Sequence, residues 1–305
     1  MSRAGGAGEA SAVTGRLPGI AGDYYGRATR RLENAACWLE VITGGGPRIV
    51  GFGLRGQPNI LTETPTTVWD SGYGPYELLG GHRLWLAPES PECSIPDSEG
   101  LTVSAAMGGL RLVGAVESPT GLRREMEVHL DRDAAAVAIR HVLTNEGSRT
   151  LDLAPWAITQ LRLGGVAVVA LPAPATEHFL TPNQLLVLWP YATWTDARLS
   201  LSDRTLAVIA KPAARFKIGC LSRTGSAGYL RDGLLFVKRF DAAVGAPHAD
   251  MGTNVQIYCD EGTIELESLG PLVRLAPGDS VTHAERWELR DIGEGVDVTA
   301  VAAFL

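Results

Sequence analysis

The chain predicts an all-β protein, a large antiparallel β-sandwich, and three observations carry that prediction. Short runs of β-type sequence recur at intervals of very roughly ten residues, the spacing of a sandwich or barrel. The segments between them are turn chemistry: "TNEGSRT", "LRDG", "CDEGT" and "APGD". Apolar residues at helical spacing over a dozen positions are hard to find. About fifteen strands in one unit suit two large sheets better than a small barrel.

Taken in order, residues 1–25 are small and polar without any period, and they read as a disordered leader. Residues 26–305 read as one domain. "CWLEVIT" alternates, "GGGP" turns, and "RIVGFGLRG" returns as the second strand of a hairpin. Long excursions are expected over 60–100 and 172–198, with at most one turn of helix in "SGYGPYELLGGHRLW". Strand-like runs then follow as "LTVSAAM", "LRLVGAVES", "LRREMEVHLD", "AVAIRHVLTN" and "RTLDLAPWAITQL". After these come "QLLVLWPY", "RTLAVIA", "FKIGCLS", "GYLRDGLLFVKRF" and "NVQIYCDEGTIELES". "LVRLAPGDSVTHAERWELR" and "DVTAVAAF" complete the predicted strands. The architecture expected is two sheets face to face, one concave and holding a cleft, with the 60–100 segment at its rim.

Composition narrows the function. A net charge of −7 over 305 residues, with no block of like charge, is a poor match for nucleic acid or an anionic membrane. The longest apolar run, "LGGVAVVALPAPA", is broken by Gly and Pro and falls short of the roughly 20 residues that a membrane span needs. The first residues lack the apolar stretch of a signal peptide. Cys37, Cys93, Cys220 and Cys259 have neither zinc-site nor disulfide-scaffold spacing, so reduced thiols in a cytoplasm are expected. A nucleophile elbow, a P-loop, an HExxH helix and a strand-linked GxGxxG are all missing. No cofactor and no metal is therefore assigned, and acid–base chemistry or binding remains.

Two stretches hold the strongest candidates. In "TIELES", alternation puts Ile264 and Leu266 on one face and Glu265 and Glu267 on the other, roughly 7 Å apart. In a partly dry cleft, burial and mutual repulsion raise one of two such carboxyls toward neutrality and make it a useful acid or base. The competing reading is a solvated face whose glutamates pair with Arg. "GGHRLWLAPE" gathers His82, Arg83, Trp85 and Glu89 around two glycines, as a loop carrying a proton-transfer group, a planar donor fork and an apolar plate. Lesser candidates are Trp156 in "APWAITQL", Lys238 in "GLLFVKRFD", His248 and Asn254 in "PHADMGTN", and the alternating set His283, Glu285 and Trp287 in "HAERWEL". For Trp156 a core role is favoured and for His248 and Asn254 a solvated loop; one of Lys238 and Arg239 faces inward if its strand alternates, and a polar strand end outweighs a metal site at His283 and its neighbouring acids.

The stretch "LEVITGGGPRIVGFGLRGQPNILTETP" resembles the opening hairpin of the galactose mutarotase-like superfamily. "IELESLGPLVRLAPGDSVTHAERWEL" resembles its C-terminal signature, in which an "LET"-like strand carries the catalytic base. With "GGHRLW-APE", "NEG…L-APWAIT" and "LFVKRF", the chain is similar to mutarotase-like proteins of unknown function, the DUF4380 type, over about residues 30–290. The resemblance implies a β-supersandwich and places the base of an aldose 1-epimerase on Glu267. The family's mid-chain His acid falls in "APWAIT", where Trp156 stands.

The expectation is therefore a carbohydrate-active isomerase of the mutarotase or epimerase type. Glu267 removes a proton from a hydroxyl, and His82 protonates the ring oxygen from the same hollow. Arg83 holds a hydroxyl, Trp85 or Trp156 stacks on the ring, and Glu89, Lys238 and Glu265 contribute contacts. The implied partner is a small molecule, a sugar or glycosylated metabolite. Two alternatives stand beside it: a non-catalytic sugar-binding protein, and a scaffold recruited for isomerisation, cyclisation or elimination on a non-sugar metabolite.

Overall fold

The alternating runs pair into two eleven-stranded sheets and a separate two-stranded ribbon in the computed structural model, which describes residues 12–173 and 181–305. One sheet runs, edge to edge, through Leu186–Leu188, Phe216–Cys220, Val255–Cys259, Ile264–Leu269, Leu151–Leu161, His82–Ala87, Ile49–Leu54, Cys37–Ile42, Arg27–Glu33 and Ile20–Tyr24. Val273–Leu275 pairs beside Leu151–Leu161. The other sheet is centred on Leu122–Leu130, Ala136–Asn145, Ser280–Asp291, Leu234–Phe240 and Ser226–Arg231. The described strand pairs are antiparallel apart from Ala12–Thr14, which runs parallel to Thr102–Ala106.

Alternation drives the packing. Leu39, Val41, Phe52, Ile264 and Leu266 project inward from the first sheet and meet Leu112, Met126, Ile139, Phe236 and Trp287 of the second in one buried cluster. Each such side chain contributes roughly 1.5–3 kcal/mol by leaving water. All four cysteines are buried and free. No helix among the described residues is long and apolar enough to cross a membrane.

Several expectations need correction. Within the predicted leader, Ile20–Tyr24 is an edge strand paired with Arg27–Glu33. It is mostly exposed and anchored by the buried Tyr24, so backbone pairing forms it without an apolar pattern. Residues 1–11 lie outside the described residues, as do 174–180 of the excursion expected at 172–198. The 60–100 segment is built of strands: Glu63–Asp70 and Pro75–Gly80 make the ribbon, and His82–Ala87 runs through the sheet. Gly80 and Gly81 have positive φ, and a Cβ on Gly81 would lie 2.0 Å from the Ile49 carbonyl oxygen. The glycine pair thus admits a close backbone crossing rather than a ligand. "DVTAVAAF" is helical, with Val298–Val301 capped by Asp297, whose Oδ1 accepts from the Thr299 N–H at 2.8 Å.

The inter-sheet core also holds a polar cluster built on the Lys238–Glu285 ion pair. Lys238 Nζ lies 2.8 Å from Glu285 Oε1 and donates to the carbonyls of Ala157 (2.9 Å) and Leu266 (3.2 Å) and to Thr159 Oγ1 (3.1 Å). Ser268 Oγ and Trp287 Nε1 also donate to Glu285. Thr159 Oγ1 also lies 2.9 Å from His82 Nδ1. His82 Nε2 and His141 Nε2 share one proton across 2.9 Å, and His141 Nδ1 is buried without a hydrogen-bond partner. Burial holds His82 well below the ordinary imidazole range and His141 down to about 3. For Glu285, burial acts upward, but Lys238 and the neighbouring histidines carry it well below the usual carboxylate range.

Two outcomes follow from this cluster. Above the unfolded imidazole value of 6.5 the two histidines are neutral in both states. As pH falls below it, the unfolded chain takes up protons that the folded chain refuses, down to about 3 for His141. Each should remove up to about 1.4 kcal/mol of stability per pH unit. Urea midpoints at pH 7.5 and 5 measure the loss, and His141→Gln should reduce it. Lys238→Met strands the Glu285 carboxylate and should cost about 3–5 kcal/mol at pH 7, read from the same unfolding curves.

Candidate functional site

The opposite, outward face of the same sheet carries a second buried polar set. In Ile264–Leu269, the residues between the core-facing ones are Glu265 and Glu267. Strand register places Ile158 beside Glu267 and Gln160 beside Glu265. Arg83 lies beside Ile158 and Trp85 beside Trp156. From the other side, Gln256 pairs with Glu267 and Tyr258 with Glu265, and Lys217 pairs with Tyr258. One face thus gathers side chains from five strands.

Glu267 is 1% exposed, and its Oε2 accepts from Trp156 Nε1 at 2.7 Å and from Lys217 Nζ at 2.8 Å. Lys217 is wedged between the Trp156 and Trp189 rings, 4.5 and 4.8 Å from their centroids. Glu265 Oε1 accepts from Gln160 Nε2 at 2.8 Å, and an Arg83 guanidinium nitrogen stands 3.7 Å away. Burial pushes the Glu265 carboxyl up to about 7; Arg83 opposes that and the Glu267 charge adds to it. The ribbon supplies a wall, where Tyr76 Oη accepts from Trp85 Nε1 at 2.9 Å. Tyr191, exposed near the face, has its phenol raised by burial and by the charges of Glu267 and Glu89.

The set is not closed on itself. Glu267 Oε1, Gln160 Oε1, Gln256 Oε1 and both Nε and Nη1 of Arg83 are buried without a hydrogen-bond partner. Buried polar atoms left unpaired are costly, so this face has hydrogen-bonding capacity that the protein's own groups do not meet. A cavity of about 950 Å³ lies elsewhere on this sheet, lined by residues such as Trp38, Arg31, Glu40, Glu63 and Arg162. Its charges satisfy one another, Arg31 with Glu40 and Arg162 with Glu63, so it offers less unmet chemistry.

The structure divides the candidates. Arg83, Trp85, Trp156, Glu265 and Glu267 come together. His82 and Lys238 do not, because neighbours on a strand project to opposite faces. Arg83 and Glu267 point outward while His82 and Lys238 join the inter-sheet cluster, so the hollow expected to join His82 with Glu267 is not formed. Glu89 is exposed beyond the end of its strand. Trp156 is 3% exposed and its ring is covered by Lys217 and Trp85, which leaves no free face for stacking; Trp189 is only half-buried. His283 and Glu285 face the core, and His248 bonds the Gly270 carbonyl. Sequence reasoning missed Lys217, Gln160 and Gln256. A lone Lys in the apolar run "FKIGC" was the available signal for the first.

A divalent ion could find His82, His141 and Glu285, whose ligand atoms lie within 4.8 Å of one another. Lys238 already supplies the cation to Glu285, and the two histidines satisfy each other at Nε2. An added divalent charge would leave this dry cluster strongly positive, so the residues do not fit a resident metal.

No family model matches the chain, and no curated protein matches it in sequence. Solved structures do. A candidate aldose 1-epimerase from Klebsiella pneumoniae superposes with a TM-score of 0.58 at 10% identity, covering 92% of this chain and 83% of its own. A galactose mutarotase-like protein from Lactobacillus casei gives 0.56 at 10% identity, over 86% of this chain and 100% of its own. A candidate aldose 1-epimerase from Escherichia coli K12 gives 0.53 at 15% identity, over 86% and 98%. The chain has the galactose mutarotase-like fold.

Proposed function

We propose that this protein binds a small polyhydroxylated molecule, a sugar or glycosylated metabolite, on the outward face around Glu267 and interconverts its anomers. The observation that carries the reading is the unmet hydrogen-bonding capacity of that face, acceptors on Glu267, Gln160 and Gln256 and donors on Arg83. A hydroxyl both donates and accepts, so adjacent hydroxyls on one ring answer both kinds of demand. Structural neighbours named as mutarotase-like or as candidate epimerases support the same class.

In this reading Glu267 is the base. Lys217 and Trp156 fix Oε2, which leaves Oε1 free to take a proton from the anomeric hydroxyl. Arg83 holds a neighbouring oxygen. Trp189 and Tyr191, which keep exposure on the flanking loop, replace Trp156 as the apolar contacts for the ring.

A thermal-shift screen over neutral, acidic and phosphorylated sugars, followed by NMR exchange between anomers, tests the reading. At least one sugar should raise the melting temperature and exchange faster with the protein present. Binding without faster exchange would leave a recognition protein, and no response from any sugar would remove the reading. Glu267→Gln, assayed below its melting temperature, should slow exchange by about 10²–10⁴-fold, the usual worth of a positioned base. Lys217→Met leaves Glu267 buried without its cation and should cost about 3–5 kcal/mol in urea unfolding.

A further inference from the structure

Ring opening needs an acid at the ring oxygen as well as a base, and His82 lies on the wrong side of the sheet to supply it. We propose that Glu265 is that acid, so that two glutamates of one strand form the complete proton-transfer pair. The inference rests on the anomer-exchange reading above.

The two carboxyls share a face but not an environment. Glu267 has an ammonium at 2.8 Å and an indole N–H at 2.7 Å. Among the described residues, Glu265 has only the uncharged Gln160 amide within hydrogen-bond length, since Arg83 stays 3.7 Å away. Glu265 is also the more open of the two, 8% exposed against 1%, and its Oε2 is not among the buried unpartnered atoms. Unlike surroundings are what separate the roles of a carboxyl pair. The groups that face Glu265 are Arg83, Glu267, Lys217, Asp260, Tyr258 and Tyr191. Among them burial prevails, and the Glu265 proton leaves near pH 7.

The step balances without a co-reactant. The anomeric hydroxyl proton passes to Glu267, its electron pair forms the carbonyl, and the bond between C1 and the ring oxygen breaks. The departing pair on the ring oxygen takes the Glu265 proton. Rotation about C1–C2 and reclosure on the other carbonyl face return both protons, so the pair ends as it began.

The experiment is anomer exchange by NMR on the full chain, with the sugar on which the wild type is most active, from pH 5 to 9. Wild-type kcat should fall as pH rises through about 7, as Glu265 loses its proton. Glu265→Gln keeps the shape but cannot release a proton; kcat should drop about 10²–10³-fold with KM changed less than about threefold, and the limb near 7 should vanish. Gln160→Leu removes the donor that favours the charged carboxyl, so its limb should move to higher pH. A Glu265→Gln protein with wild-type kcat, or one retaining the limb near 7, overturns the assignment. So does an unmoved limb in Gln160→Leu. Absence of exchange by the wild type on every sugar overturns the parent reading and this inference together, and it is read from the wild type alone.

Discussion

Three adjacent strands, His82–Ala87, Leu151–Leu161 and Ile264–Leu269, carry buried polar side chains on both faces, and the rest of the arrangement depends on that constraint. A two-residue repeat sends His82, Thr159 and Ser268 inward and Arg83, Gln160 and Glu267 outward. Sheets of this kind ordinarily keep one apolar and one wet face. Here both faces are dry, so each polar set needs partners of its own.

The inward set meets that demand nearly by itself, with His141 Nδ1 left unpaired. Lys238 crosses from the opposing sheet, neutralises Glu285 and ties the carbonyls of Ala157 and Leu266, the residues just before Ile158 and Glu267. It thereby pins from behind the strand that presents both outward glutamates and the neighbouring strand that presents Gln160. The outward set meets the demand only in part. Its ion pair is complete, yet five atoms of Arg83, Gln160, Gln256 and Glu267 stay unsatisfied. A nearly complete network stabilises and positions; one with five unmet atoms, on a face flanked by half-exposed aromatics, is where a hydroxylated ligand would add most. That contrast is the reason the proposed function is set at Glu267 rather than in the groove around Trp38, where Arg31 is paired with Glu40.

Much of this was legible in the sequence. Alternation in "TIELES" correctly separates the glutamates from Ile264 and Leu266, and "HAERWEL" sorts His283, Glu285 and Trp287 onto one face. The all-β sandwich follows from strand runs and turn residues, and the fold of the solved neighbours agrees. The failure at "GGHRLW" has a definite cause. Glycines beside His, Arg and Trp read as a loop, and loop residues can converge on one ligand. Once the segment is a strand, His82 and Arg83 must diverge.

The chain by itself therefore determined the class of structure and which residues share a strand face, because a period of two is a local property of covalent geometry. Only the tertiary structure decided which face is sealed by the second sheet and which is covered by loops and ribbon. It also brought Lys217 to Glu267 across 50 residues and Lys238 to Thr159 across 79. Pairings at such separations are set by strand order and by the charge balance each buried carboxylate requires, neither of which is written in any single stretch of sequence.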